Sequence, residues 1–213
     1  MRRIVLTRHG ETVWHAENRY AGSSDVGLTE RGRRQAAALG DWAATAGLSA
    51  VYSSDLTRCR DTAAPAAAAL EQPVRTDRRL RELDFGKAEG RTLAELRADE
   101  PDAVEAFLAD PGLHPLPGGE PPAHAVERAR SGLADIAAAH PDSRVLVVMH
   151  STLLRLVLCD LLGLPLGRYR VAFPSARNVG LTELSWPDGV LVYNAELPGI
   201  AARLSAALED TKD

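Results

Sequence analysis

Residues 144–150 read RVLVVMH, five consecutive apolar residues between an arginine and a histidine. A run this short, without the alternation of a half-exposed strand, fits a strand buried on both faces, as in a parallel sheet. Ile4, Val5 and Leu6 give a second short strand near the N-terminus, followed by TRHGE (Thr7 to Glu11), and AVYSS (Ala50 to Ser54) gives a third. Helical stretches lie between them. Thr29 is placed to cap a helix through RGRRQAAALGDWAATA that Gly47 would end, and an amphipathic helix runs from Ala123 to about His140. Strands alternating with helices predict an α/β fold, a three-layer α/β/α arrangement around a mostly parallel central sheet.

The remaining segments fill in that frame. Asp55 is expected to cap a helix through Arg58 and Thr62, with Pro65 kinking or interrupting it. Helices are expected from about Thr92 to Asp99 and through Ala103 to Ala109. Residues 110–122, DPGLHPLPGGEPP, hold five prolines and three glycines and read as a loop, a candidate rim of an active site. Thr152 to Leu162 is apolar nearly all round, a buried helix. NVGLTELSW and VLVYNAEL flank Pro187-Asp188-Gly189 as a hairpin, followed by a helix and a polar tail from Glu209 to Asp213 that is expected to fray. No repeat or linker divides the chain, so 1–213 is expected to be one domain, with a substrate-capping segment at about 84–125.

Composition excludes several functions. The formal net charge is −4 and no basic stripe is present, which argues against a nucleic-acid partner or a membrane surface. Cys59 and Cys159 have no CxxC or CxxH context and read as buried free thiols. The apolar stretch from Val145 to Leu164 is broken by His150, Arg155 and Asp160, so it is not a membrane span, and the N-terminus lacks the apolar run of a signal peptide. A cytoplasmic protein is the expectation. HExxH, a P-loop and an aspartate-rich ion cradle are all missing, so neither a metal nor a cofactor is expected.

The residues at the strand ends suggest chemistry. His9 and His150 each end a strand, and right-handed crossovers would bring both ends to the edge where open α/β sheets bind ligands. Neighbouring strands lie about 5 Å apart, so the two imidazoles could address one small ligand. Arg8 and Arg58 would supply guanidinium forks suited to an oxyanion such as phosphate. Glu82, in RLRELDFG, is the candidate acid, because a carboxyl group beside a phosphate dianion is pushed towards its protonated form and can then protonate a leaving alkoxide. Either histidine alone would more often be a core or surface residue; the conjunction with Arg8, Arg58 and Glu82 reverses that. Arg31, Arg33 and Arg34 read as a solvated helix face, Arg78, Arg79 and Arg81 as ion-paired, and His114, His124 and His140 as surface residues. Trp14 and Tyr20 could be rim or core.

These residues carry a resemblance. TRHGET, SSDLTRCRDTA, LRELDFGKAEG and VVMH resemble, in order and spacing, the four signature blocks of the histidine phosphatase superfamily, the phosphoglycerate mutase-like branch. The resemblance implies the phosphoglycerate mutase-like fold. It implies that His9 is the nucleophile that becomes phosphohistidine, that Arg8, Arg58 and His150 complete a phosphate clamp, and that Glu82 is the general acid and base. Gly22 matches a glycine whose backbone approaches the substrate phosphate. Three positions depart from the family pattern: His15 where many members have asparagine, Ser151 where many have glycine, and Ala21 where a polar residue is common. His15, Ala21, Gly22 and Ser151 join the expected substrate contacts, with His15 donating to the phosphoryl group and titrating with pH. GKAEGRTLAEL comes directly after the glutamate block, as in phosphatases of the α-ribazole-phosphatase type. The expectation is a metal-independent phosphatase acting on a small phosphorylated metabolite; a mutase and a non-catalytic phospho-ligand-binding member are the alternatives. Leaving-group contacts are expected from about Leu93 to His124 and from the loop after Tyr20, and the C-terminal hairpin offers an edge for a possible homodimer.

Overall fold

In the computed structural model, which describes residues 2–200, the apolar run of residues 145–149 lies inside a six-stranded sheet. The strands are β1 (Arg3–Arg8), β2 (Ala50–Ser53), β3 (Arg75–Thr76), β4 (Arg144–Met149), β5 (Leu181–Ser185) and β6 (Gly189–Ala195), in the spatial order β3-β2-β4-β1-β5-β6. The pairs β3–β2, β2–β4 and β4–β1 are parallel, while β5 runs antiparallel to β1 and β6 antiparallel to β5. β6 is an edge strand. Arg8 pairs with Met149, so the next residues, His9 and His150, leave the sheet side by side.

Two apolar clusters explain why β1 and β4 carry no polar alternation. Ile4, Leu6, Val145, Val147 and Met149 point to one face, and Val5, Leu146 and Val148 to the other. The first face is covered by α3 (Leu93–Asp99), α4 (Pro101–Ala109), α5 (Pro122–Ala139) and α6 (Ser151–Leu161), the second by α1 (Glu30–Ala43) and α2 (Thr57–Ala69). Three layers result, because each face needs its own apolar cover. Residues from 84–125, among them Phe85, Leu96, Val104, Phe107 and Leu116, pack into the first cluster. A one-turn helix, α7 (Tyr169–Ala172), leads towards the hairpin. Among the described residues no helix is long and apolar enough to cross a membrane.

Local chemistry fixes several boundaries. Thr29 caps α1, its hydroxyl accepting from Gly32 N, and Thr92 with Glu95 forms a reciprocal capping box on α3. Pro101 opens α4, where its missing N–H costs nothing. Two expectations are corrected. Asp55 does not cap α2: it is held by Arg81 through contacts of 2.6 and 2.7 Å, and Asp25 takes its place by accepting from Thr57 N at 2.8 Å and the Thr57 hydroxyl at 2.7 Å. Pro65 does not interrupt α2, which runs on to Ala69. α1 crosses there at Gly40, where a Cβ would lie 2.8 Å from Pro65 Cβ, and helix packing of this kind outweighs one missing backbone bond. The expected terminal helix and tail lie outside the described residues.

Candidate active site

The site begins where β1 stops. His9 N still donates to Met149 O, which fixes the histidine against β4. Its Nδ1–H donates to Gly10 O at 2.7 Å, so the proton sits on Nδ1 and the Nε2 lone pair is free. Gly10 allows the turn because a Cβ there would lie 2.7 Å from Gly32 O in α1. Burial first, then the charges of Arg58 and Arg8, hold the His9 pKa well below the ordinary histidine value. A neutral imidazole with one free nitrogen therefore faces a cavity of about 340 Å³.

Arg8 lines the same cavity with two of its five N–H donors engaged. One terminal nitrogen donates to Ala176 O at 3.0 Å and the other to His15 Nε2 at 2.7 Å, while Nε is buried with no partner. Burial, eased by Glu82 and reinforced by Arg155 and Arg58, lowers the Arg8 pKa to about 10. A guanidinium and a backbone N–H can only donate, yet Arg8 meets Nε2 at 2.7 Å and Thr12 N donates to Nδ1 at 3.0 Å, so the neutral ring, with one lone pair, accepts from one of the two at a time. Burial and Arg8 lower the His15 pKa to about 4. This corrects the expectation for His15 in one respect: it lines the cavity as a neutral ring against Arg8 and does not titrate near neutral pH. Asn178, which sequence reasoning missed, braces the same turn by donating to His9 O at 2.7 Å.

Arg58 and His150 are brought to His9 but stand behind the cavity wall. Arg58 is 0 % exposed, and its terminal nitrogens donate to Ser24 O at 2.7 Å, Gly22 O at 2.8 Å and Ala21 O at 3.1 Å. Its Nε donates to His150 Nδ1 at 3.3 Å, and the His150 ring centroid is 5.3 Å from that of His9. Burial and then Arg58 hold the His150 pKa well below the usual range. Its forks are committed to a loop, so what Arg58 brings to His9 is its charge. Cys59 packs behind His150, its sulfur 3.4 Å from Nε2, and both cysteines are buried and free.

Gly22 is likewise placed differently from expectation. It does not line the cavity; its N–H donates to Glu89 at 2.9 Å, and a Cβ there would lie 2.0 Å from Leu83 O. Glu89 also accepts from the backbone N–H groups of Ser23, Ser24 and Phe85. It thus folds the loop whose carbonyls hold Arg58. No sequence signal identified Glu89, because its donors lie more than sixty positions away, Phe85 excepted.

Among the described residues Glu82 is the only carboxylate that lines the cavity. Oε1 accepts from Leu153 N at 2.8 Å and Leu83 N at 3.1 Å, and Oε2 accepts from Thr152 N at 2.9 Å. It therefore sits on the N-terminus of α6, where unpaired N–H groups favour negative charge. Asp84, its neighbour in sequence, is exposed and accepts from Gly86 N instead. Ser151 and Ala21 line the cavity.

The outer part of the cavity departs furthest from the sequence reading. Trp14 and Tyr20 are on the lining, and from the expected segment between Leu93 and His124 only Leu93 reaches it. Arg155 of α6 and Tyr169 and Arg170 of α7 also line it. Arg155 had a signal, a lone cation in a helix otherwise apolar nearly all round; Arg170 had none. The arginines at 31, 33 and 34 face Glu11 or Glu30, and Arg79 and Arg81 are paired with Asp77, Asp135 and Asp55.

Comparison with known proteins adds to this geometry. The family described as histidine phosphatase superfamily (branch 1) matches residues 4–195. A protein of Erwinia tasmaniensis named "Probable phosphoglycerate mutase GpmB" is 38% identical over 165 residues, 78% of this chain and 77% of that protein. The structure of a mycobacterial glucosyl-3-phosphoglycerate phosphatase in complex with VO3 is similar with a TM-score of 0.83 at 33% identity, covering 92% of this chain and 100% of that one. An α-ribazole phosphatase from Shigella flexneri, at 24% identity, shares the fold with a TM-score of 0.80 over 91% of this chain and 96% of that one.

Proposed function

The chain belongs to the histidine phosphatase superfamily, branch 1, and on that premise we propose that it hydrolyses a small phosphomonoester through a phosphohistidine at His9, without a metal ion. The observation that carries this reading is the pairing at the end of β1: a neutral His9 whose Nε2 lone pair is free, lining one cavity with the Arg8 guanidinium. A nucleophile and a donor for the phosphoryl oxygens thus adjoin one cavity.

The reaction then runs in two displacements. Nε2 of His9 attacks phosphorus in line, the N–P bond forms and the ester O–P bond breaks. Glu82 delivers a proton to the leaving oxygen, for which Oε2 keeps a lone pair that Thr152 N does not use. Charge on the equatorial oxygens is met by Arg8 directly and by Arg58 through its field, which is the work a metal ion does in other phosphoryl-transfer sites. A water then gives its proton to Glu82, its oxygen attacks phosphorus, and the N–P bond breaks to release phosphate and restore His9. The geometry suits a phosphoryl group at the inner end and a leaving group towards Trp14, Tyr20 and Leu93.

Trapping tests this reading. Mixing the protein with a turned-over ester and quenching in base is expected to leave an alkali-stable, acid-labile phosphoryl label on His9; a label on another residue, or none under single-turnover conditions with turnover intact, overturns it. The name of the Erwinia relative supports a second reading, mutase chemistry, in which the phosphohistidine passes its phosphoryl group to another hydroxyl. Release of inorganic phosphate supports hydrolysis, and conversion of one phosphoglycerate isomer into another supports the mutase.

A further inference from the structure

The groups gathered around His9 are carried by regular structure, with one exception. His9 and His150 follow the last residues of β1 and β4, and Arg58 sits in α2, whereas Glu82 lies in residues 81–85, which belong to no helix or strand. Irregular backbone has no ladder of its own, so its carbonyls need donors from elsewhere in the fold. Arg128 of α5 supplies them.

Every N–H of the Arg128 guanidinium is spent. One terminal nitrogen donates to Arg79 O at 2.8 Å and Arg81 O at 2.7 Å, and the other donates to Glu82 O at 3.0 Å and Glu120 Oε2 at 2.7 Å. Nε donates to Glu120 Oε1 at 2.7 Å. Carbonyls of residues 79, 81 and 82 thus converge on one cation, and the two oxygens of Glu120 fix the plane of that cation from its other edge. Glu120 is fastened to the same stretch of chain, its N–H donating to Asp84 O at 2.8 Å. Lysine, a point charge with three donors on a flexible stem, cannot repeat this set.

Glu82 is therefore gripped at both ends. Its carboxylate is held from α6 by Thr152 N and Leu153 N, and its main chain is held from α5 by Arg128. Arg128 is not on the cavity lining, so whatever it does for a bound ester it does through the residue it holds.

We propose that Arg128 is the positioning residue of the acid step: by fixing the main chain of Glu82 it keeps the carboxyl where a leaving oxygen is protonated, with Glu120 holding Arg128 in turn. The proposal rests on the reading of Glu82 as the general acid.

The test measures leaving-group release in the first turnover of an alkyl ester, glycerol 3-phosphate, and an aryl ester, p-nitrophenyl phosphate. Arg128→Ala is expected to slow the alkyl ester by about tenfold more than the aryl ester, because a displaced acid matters only where the leaving oxygen needs a proton. In a Glu82→Gln background the same change is expected to leave the ratio of the two within about twofold, since the group it positions is gone. Arg128→Lys is expected to recover part of the ratio. A purely structural arginine would lower the thermal midpoint and slow both esters alike. An unchanged ratio in Arg128→Ala, or an equal shift with and without the Glu82 carboxyl, overturns the proposal. If Arg128→Ala does not fold, Glu120→Gln takes its place, with an expected shift of about threefold in the same direction, and no shift there overturns it.

Amide exchange gives a second readout that needs no turnover. The N–H groups of Thr152 and Leu153, bonded to the Glu82 carboxylate, are expected to exchange about tenfold faster in Arg128→Ala, with the amides of β4 unchanged. If neither ester is turned over, or Glu82→Gln slows both esters equally, the reading of the site fails on its own account. Faster exchange at Thr152 and Leu153 then still supports the positioning of Glu82 by Arg128, and unchanged exchange overturns it.

Discussion

The two ends of the cavity are built on different plans. At the inner end, His9 is 6 % exposed, Glu82 7 %, and Arg58 and His150 0 %, and their polar atoms are mostly bonded to backbone of β1, α6 and the loop at residues 21–24. At the outer end, Trp14, Tyr20, Leu93, Arg155 and Arg170 are partly exposed; Arg170 is held by ring faces and side-chain bonds, while Arg155 adds bonds to the backbone of Ser151 and Phe173. Backbone anchoring fixes a reacting atom to within a few tenths of an ångström, which phosphoryl transfer requires; side-chain anchoring lets a wall change with the leaving group. On the proposed function, the difference assigns the reaction and the choice of substrate to separable parts of one cavity.

The sharpest way to break that division is at the nucleophile. His9→Ala is expected to reduce turnover of every ester by at least about a thousandfold with the fold intact by circular dichroism, since covalent nucleophiles account for losses of this order. Residual turnover well above that level would mean that another group at the inner end accepts the phosphoryl.

Glu82→Gln probes the seam between the two ends. An alkoxide must be protonated as it leaves, whereas a phenolate leaves unaided, so pre-steady-state leaving-group release is expected to fall by about a hundredfold for alkyl esters and far less for aryl esters. Equal losses for both would remove Glu82 from the acid role. Asp84 would not inherit it, because it is exposed and outside the cavity lining.

Glu89→Ala tests whether the inner end depends on its loop. Four backbone N–H groups, of Gly22, Ser23, Ser24 and Phe85, would lose their acceptor, and the carbonyls that hold Arg58 would loosen. The expected outcome is a loss of about 2 kcal/mol of stability with a lower thermal midpoint, and a similar fall in kcat/KM for all esters. A change in the preference among esters with different leaving groups would show that the two ends are not separable.

The smallest effect is expected from pH acting on His15. Its folded-state pKa, about 4, lies below the ordinary 6.5, so the unfolded chain takes up a proton over a range where the folded protein does not. Stability from this group is complete above about 6.5 and falls as pH drops towards about 4. His15→Asn is expected to show a shallower loss of thermal midpoint between pH 7 and about pH 5 than wild type, by a few degrees at most because the ring is half-buried. Identical acid profiles would contradict the neutral acceptor role.

Much of the inner end was legible in the sequence because strand ends and helix starts carry it. VLVVM and IVL each bury both faces of a strand, and the residues after them, His150 and His9, inherit a shared edge from the parallel pairing. The roles of Gly22 and His15 were misread for one reason: a backbone N–H or an imidazole nitrogen can serve either a ligand or the protein, and the partner, Glu89 or Arg8, is fixed only by packing. Asp55 failed as a cap for the same cause, since Arg81 holds it across the fold. Arg170 lies in RYR, a pattern like any exposed turn, and only the rings of Phe107 and Tyr169 mark it out.

The parallel pairing of Arg8 with Met149 also governs when the protein can first work. During synthesis His9 emerges early, but the strand that positions it is made only after most of the chain, and every element between them must be tucked to either side before β1 and β4 can join. Closing so long a loop is entropically slow, which places assembly of the phosphoryl site late in folding. Recovered turnover after dilution from denaturant would therefore time the closing of the sheet's centre, later than the return of helical signal. On the proposed function, inorganic phosphate would bind the joined form and stabilise it by mass action.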